Sequence, residues 1–358
     1  MDGGITKKSS VTSSQVAEHA GVSQSAVSRT FTPGASISPK TRAKVLASAK
    51  TLGYRPNAIA RSLITSHSRI IAVVMAYLEN LFYPDVLEEL GRRLAAENYH
   101  VLLFTGFKDR DSDPVFDQLM QYRVDGIILA STSLSSELSE ECTVAGIPVV
   151  LFNRTTERDT ASSVTTRNRD GGKLVADFLI AGGHTSFGYI AGLTNSSTNR
   201  DRFAGFQEGL VSAGFDQIEI RTGNYNRADA EVAARELLSL KRPPQAIFVA
   251  NDHMAVAVMD VARYEFGLSI PEQLSIVGYD DVGPARWPSY GITSVTQPIA
   301  PMVEATVDIL MDQIASGEIE PQHKLIAGEL IVRTSARQPA TGIVERDGVK
   351  FYQPAGDR

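Results

Sequence analysis

The sequence predicts an all-α helix-turn-helix headpiece followed by an α/β core of two doubly wound parallel-sheet lobes. Three observations lead there. Residues 1–55 hold three short helical patterns, each with its own cap and separated by glycine turns. From Arg69 onward, continuous apolar runs alternate with helical segments, the pattern of parallel strands covered on both faces. Charge also divides along the chain. Residues 1–69 hold ten Lys or Arg against two Asp or Glu, a balance of +8, while the remainder holds 25 against 39, or −14. A basic module on an acidic body implies that only the first module meets a polyanion.

Each helix of the headpiece is argued from its ends. Thr12-Ser13-Ser14-Gln15 is a capping box, in which hydroxyl and amide satisfy each other's orphan N–H groups. Val16, Ala17 and Ala20 then share one helical face. Gly21 permits the positive φ of a tight turn. Ser23 caps a second helix from Gln24 to Thr30, with Ala26 and Val27 inward. Ser38-Pro39 opens a third, whose apolar face is Val45, Leu46, Ala49 and Leu52 and whose end is Gly53. Helix, glycine turn, helix is the helix-turn-helix unit. Its second helix enters the major groove of DNA with its N-terminal residues on base edges. Here those are Gln24, Ser25 and, one turn on, Arg29. Gln suits adenine, Arg suits guanine, and Ser suits several bases. Ser23, Ser28 and Thr30 suit phosphates, which position without specifying; Thr12 and Ser13 complete the expected DNA-facing set.

The 358 residues suggest two to three domains, and 43% hydrophobic against 21% charged is globular composition. The single cysteine, Cys142, forms no disulfide framework and fits a reducing compartment. The N-terminal residues lack a signal-peptide core, and no run reaches the ~18 apolar residues of a membrane span. The expectation is a soluble cytoplasmic protein without membrane association.

The core reads as two series of strands and helices. "RIIAVVMAY", "HVLLFTGF", "DGIILAS" and "PVVLFN" are strands of the first, with helices near 84–98, 114–122 and before Gly146. "SVTT", "FGYIAG", "IEIRTG", "AIFVAND" and "LSIVGYDD" follow, with helices at 168–181, 201–213, 227–240 and 254–266. Two facing lobes make a cleft suited to hinge closure, with ligands at the carboxyl ends of strands.

"TSSQVAEHAGVSQSAVSRTF" and "SPKTRAKVLASAKTLGYRPNAIARSL" resemble, almost continuously from Thr12 to Leu63, the headpiece of the lactose repressor (LacI/GalR) family of bacterial transcriptional regulators. "VDGIIL", "AGIPVV", "GYIAG", "AIFVANDHMA", "LSIVGYDD" and "ITSVTQP" resemble that family's effector-binding core, itself similar to periplasmic sugar-binding proteins. The resemblance implies a headpiece at 1–55, a hinge helix and linker at 56–68, a core at 69–338 and a C-terminal tail at 339–358. Within the core it implies a first lobe near 69–165 and 297–325, and a second near 166–294 and 326–338. In the family the hinge helix orders on operator binding and a leucine wedge enters the minor groove. By position that wedge is Leu63, beside Asn57, Ala60 and Arg61. Isolated helices this short are marginal, so a segment that folds on contact is physically apt, as is an apolar side chain that kinks DNA.

The family motifs imply an effector set of Phe82, Tyr83, Asn153, Arg154, Thr198, Arg202, Tyr225, Asn251, Asp252 and Asp280, to which Arg167 is added from outside the motif pattern. Aromatic rings stack on sugar faces, while carboxylates, amides and guanidinium groups bond hydroxyls. One departure is Arg167, where relatives usually carry Asp. With Arg154 and Arg202 it could set three guanidiniums around the cleft and favour a sugar acid or phosphosugar; the opposing reading is a salt bridge from Arg167 to Asp170 or Asp280. The tail "PATGIVERDGVKFYQPAGDR" lacks leucine heptads, so a homodimer is expected rather than a coiled-coil tetramer.

Two other readings use the same cleft: a solute-binding protein, and a sugar-active enzyme. Neither is favoured. There is no nucleophile elbow, phosphate loop or dinucleotide fingerprint. The six histidines never reach metal-ligand spacing, and no catalytic residue, metal or cofactor is expected. The function expected is a sequence-specific regulator, acting as a repressor on an approximately palindromic operator under control of a small sugar-like effector.

Overall fold

The computed structural model describes residues 11–32, 34–55, 67–75, 78–105, 119–130, 141–156 and 160–354. The chain divides into two units between Ser68 and Arg69.

In the first unit, α1 (Ser13–Ala20) starts on the Thr12 capping box: Gln15 N–H donates to Thr12 Oγ1 (3.3 Å), and Thr12 N–H donates to Gln15 Oε1 (2.9 Å). Gly21, at φ 63°, makes the turn. Ser23 caps α2 (Gln24–Phe31) and Ser38 caps α3 (Pro39–Leu52), which ends on Gly53 at φ 69°. Val16, Ala17, Val27, Val45 and Ala49 are buried together, with Phe31 and Tyr54 against them. Leu46, expected on the apolar face, is 47% exposed. It lies about 100° round the helix from Val45, and Val45 already fills the inward position.

The second unit holds two sheets. The first runs β2 (His100–Thr105), β1 (Ile70–Met75), β3 (Gly126–Ala130), β4 (Val149–Phe152), β5 (Ser162–Thr166) and β11 (His323–Ile326), with every pairing parallel. Its central strands are wholly buried. Helix α4 (Phe82–Ala96) follows β1, and α9 (Ile299–Ser316) packs against α4 and β3 to β5.

The second sheet runs β7 (Ile218–Thr222), β6 (Phe187–Ala191), β8 (Ala246–Val249), β9 (Ser275–Asp280), β10 (Thr293–Thr296), β12 (Leu330–Ile331), β14 (Val349–Tyr352) and β13 (Ile343–Arg346). It is parallel as far as β10 and antiparallel beyond. Residues 339–358 were expected as a tail beyond the core. Instead β13 and β14 form a hairpin that extends this sheet, and Tyr352 packs edge-on against Phe178 at 5.3 Å.

Four helices cover the second sheet: α5 (Asn168–Ala181), α6 (Ser197–Ser212), α7 (Arg227–Leu238) and α8 (Asp252–Asp260). The pair α5 and α6 packs closest, because glycine stands where the backbones cross. A Cβ on Gly205 would lie 1.8 Å from Arg169 O, and one on Gly172 would lie 2.0 Å from Arg202 O. α6 begins at Ser197, before the 201 expected, because Ser196 accepts from Asn199 N–H as its cap. That earlier start places Thr198 in the first turn.

The chain passes between lobes at Arg167, at Gln297–Pro298 and at 327–329, and the passages are bonded to one another. Arg167 N–H donates to Ile326 O (2.9 Å), and Thr296 N–H donates to Glu329 O (2.8 Å).

Candidate functional site

Two polar surfaces stand out, one in each unit. On α2 of the first unit, Gln24, Ser25, Ser28 and Arg29 are exposed side by side, with Ser23 at the cap. Gln24 Nε2 donates to Ser13 Oγ (3.0 Å), tying α2 to α1, and the Ser23 and Ser25 hydroxyls lie 2.9 Å apart. Thr12 is exposed and Ser13 half-buried at the start of α1. Thr30 leaves the expected phosphate-facing set: it is buried, and its hydroxyl donates to Ala26 O (2.9 Å). Glu18 is the only acid in residues 11–55, so little repels a phosphate backbone. Asn57, Ala60, Arg61 and Leu63 lie outside the described residues.

In the second unit a cavity of about 290 Å³, mouth included, opens between the lobes. Asn80, Tyr83, Asn153 and Arg154 come from the first lobe; Thr198, Arg202, Tyr225, Asn251 and Asp280 come from the second. These residues follow β1, β4, β6, β7 and β8, or end β9, so the cavity sits at the carboxyl ends of both sheets. Asn153, Tyr225 and Asp280 hold positive φ values of 59°, 56° and 113°, strained conformations of the kind that cluster at ligand sites.

Arg202 is the buried centre. Its Nε donates to Asn168 Oδ1 (2.9 Å), and its Nη1 donates to Ala250 O (2.5 Å) and lies 3.5 Å from Asp280 Oδ1. Its guanidinium stacks on Tyr279, 3.6 Å from the ring centroid. Burial opposes its charge, but Asp280 and the nearby tyrosines hold the proton more tightly than usual. Burial raises the Asp280 carboxyl to about 6, against the pull of Arg202 and of the Gln297 amide, which donates to Asp280 Oδ1 (2.7 Å). Gln297 Oε1 also lies 3.3 Å from the Thr166 hydroxyl. Gln297 thus ties two interlobe passages to Asp280, which lines the cavity.

Arg154 bridges the lobes. Its Nη1 donates to Thr198 Oγ1 (2.6 Å) and to Asn153 O (3.0 Å), and Thr155 N–H donates to Ser197 Oγ (3.1 Å). The Thr198 hydroxyl also lies 3.1 Å from the Tyr225 hydroxyl. Three side-chain atoms lining the cavity are buried without a protein partner: Asn153 Oδ1, Arg202 Nη2 and Asn251 Nδ2. Buried polar groups are normally bonded. One acceptor and two donors are thus held open, enough to orient a small polar molecule.

Eight of the eleven expected effector residues come together here, and three do not. Phe82 is 1% exposed and stacks on Phe152 at 6.3 Å, so it belongs to the core while Tyr83 faces the cavity. Asp252 is fully buried, accepting from Ser294 Oγ (2.8 Å) and Val282 N–H (3.1 Å). Burial and then the neighbouring Asp280 raise its carboxyl well above the usual range. Arg167 is exposed, away from the cavity and 3.8 Å from Asp170, so three guanidiniums do not converge. Asn80 was missed: its Oδ1 accepts from Phe82 N–H (3.2 Å) at the head of α4. "ENLFYPD" holds an Asx-turn signal that could have pointed to it.

A helix-turn-helix unit and a two-lobed core with a polar interlobe cleft define a ligand-responsive DNA-binding protein. Known proteins agree. Residues 14–57 match the bacterial regulatory proteins of the lacI family, and 176–336 match a periplasmic binding protein-like domain. The HTH-type transcriptional repressor PurR of Yersinia enterocolitica is 30% identical over 325 residues, spanning 89% of this chain and 95% of its own. A lac repressor dimer bound to operator and the anti-inducer ONPF superposes with a TM-score of 0.81 at 26% identity, over 91% of this chain and 99% of that one. The transcriptional regulator CelR in complex with cellobiose does so with a TM-score of 0.69 at 29% identity, over 91% and 100%. The chain belongs to the lacI family of bacterial regulatory proteins. The relatives it matches are transcriptional regulators, not enzymes.

Proposed function

We propose that the protein is a cytoplasmic homodimeric repressor that binds an approximately palindromic operator and answers to a sugar-like effector in the interlobe cleft. The observation that carries this reading is the buried, partnerless set of Asn153 Oδ1, Arg202 Nη2 and Asn251 Nδ2 in a chain that also exposes Gln24, Ser25 and Arg29 on a helix-turn-helix. Tyr83 and Tyr225 supply ring faces, and Asp280, Arg202 and Asn251 supply bonds to hydroxyls. Cellobiose bound to CelR and operator bound to the lac repressor support both halves by kinship. A dimer would present two headpieces to two half-sites. The residues 57, 60, 61 and 63 would form the DNA-dependent hinge, with Leu63 as wedge.

Control is then a coupling free energy. The effector binds the operator-bound and free states unequally, typically by ~1–3 kcal/mol, and the effect is reciprocal. Among the described residues no helix is long and apolar enough to cross a membrane. A mobility-shift assay on promoter fragments tests the reading. The expected result is retention of one fragment over competitor DNA; equal binding to all fragments contradicts it.

A further inference from the structure

We propose that the effector carries a negative charge, and that Arg154, acting with Thr198 at the N-terminus of α6, recognises it. This rests on the reading of the cleft as a sugar-like effector site. The carrying observation is a charge imbalance. Among the described residues lining the cavity, two guanidiniums, Arg154 and Arg202, face one carboxylate, Asp280. Asp280 sits against Arg202, 3.5 Å from its Nη1. Arg154 is 8% exposed, and its hydrogen bonds are to neutral oxygens, Thr198 Oγ1 and Asn153 O. Among the described residues, the only cavity-lining carboxylate that its charge reaches is the same Asp280, already held by Arg202. A buried cation is costly unless an anion pairs with it.

The second observation is independent. Arg202 is 2% exposed and its Nη2 has no partner, so Asp280 does not saturate even the donors beside it and has no capacity left to neutralise Arg154. Geometry adds direction. α6 is a sixteen-residue helix whose first turn holds Thr198, and the positive end of a helix favours an anion. The Arg154 guanidinium also lies 5.8 Å from the Tyr225 ring centroid. The anionic group therefore belongs at the Arg154–Thr198 end, and the neutral hydroxyls belong at the Arg202–Asp280–Asn251 end. Arg167 takes no part.

Calorimetric titration of the full chain with sodium sulfate at fixed ionic strength reads the imbalance without knowledge of the effector. Wild type should bind sulfate saturably. Arg154→Leu should weaken that binding at least tenfold, and Arg154→Lys should restore part of it. Asp280→Asn, which removes the one acid, should tighten it severalfold; a gain of binding is not a product of misfolding. Sulfate binding that is absent, or that is the same in all four proteins, overturns the proposal. A second arm separates the sources of charge: D-gluconate and D-glucuronate for a carboxylate, D-glucose 6-phosphate for a phosphate, and D-glucose as the neutral control. Binding of either acidic class that is lost in Arg154→Leu supports the proposal and names the group. D-Glucose binding as tightly as the acids, indifferent to Arg154→Leu, overturns it and leaves the sugar-cleft reading standing. Operator retention, measured alongside, reports on the regulator reading by itself.

Discussion

The two polar surfaces differ in how their residues wait for a partner. On α2, Gln24, Ser25 and Arg29 stand in water on a small helical unit, and few protein bonds hold them. In the cleft, Arg202, Asp280 and Asn251 are buried, and each is fixed by at least one bond to a neighbour before any ligand arrives. A surface that reads DNA can be assembled from one helix, because the duplex supplies the complementary shape. A cavity that recognises a small molecule must be shaped by the whole fold. The difference predicts that damage to the fold silences the cleft, while damage to α2 leaves the cleft intact.

The largest effect should come from Gly205→Ala. Its Cβ would collide with Arg169 backbone, and overpacking of this kind costs roughly 1–3 kcal/mol or more. Thermal unfolding should show the loss, and ligand binding should fall because Arg202 rides on the same helix. Next, Arg29→Ala should cost ~1–3 kcal/mol of specific operator binding while sulfate or sugar binding by calorimetry stays unchanged. Equal loss of both would erase the distinction between the surfaces.

A pH titration sharpens it further. The Asp280 carboxyl is held up to about 6 by burial. As pH falls from 7.5 through that value, Asp280 gains a proton and the cleft becomes more positive. Sulfate should therefore bind severalfold tighter at pH 5.5 than at 7.5, and Asp280→Asn should flatten the profile. The smallest effect is reserved for Arg167→Ala. Its partner is an exposed Asp170 at 3.8 Å, and such surface pairs are worth ~0–1 kcal/mol. Stability and ligand binding should barely move.

Why the two surfaces differ in legibility follows from the same contrast. The headpiece was readable because its signals are local: Thr12 with Gln15, Gly21, Ser23, and Ser38 before Pro39 each act within a few residues. The alternation of buried strands and helices likewise marks both sheets. In the cleft the motifs located each strand end but not the side chain that faces inward. Phe82 and Tyr83 are neighbours, as are Asn251 and Asp252; in each pair one lines the cavity and the other is packed behind it. For Phe82 and Tyr83 about 100° of helical rotation separates the two side chains; for Asn251 and Asp252 the change from the extended cap to the first helical residue does so. Arg167 and Arg154 were indistinguishable by residue type; only the fold exposes one to water and buries the other. The hairpin of residues 343–352 did carry a local signal, Asp347-Gly348, whose positive φ values of 52° and 76° make the two-residue turn between β13 and β14. Its strands are mostly exposed and reach the core only through Ile343 and Tyr352, so their apolar pattern is too weak to place them in the sheet.

The central claim is that occupation of the cleft changes operator affinity. It is tested most directly by fluorescence anisotropy of the full chain on an operator duplex recovered by selection, with acidic and neutral sugars titrated in. The account predicts at least a fivefold change in operator Kd with a ligand that calorimetry shows filling the cleft, and no change in Arg154→Leu. An operator Kd that stays fixed while the cleft saturates would contradict it.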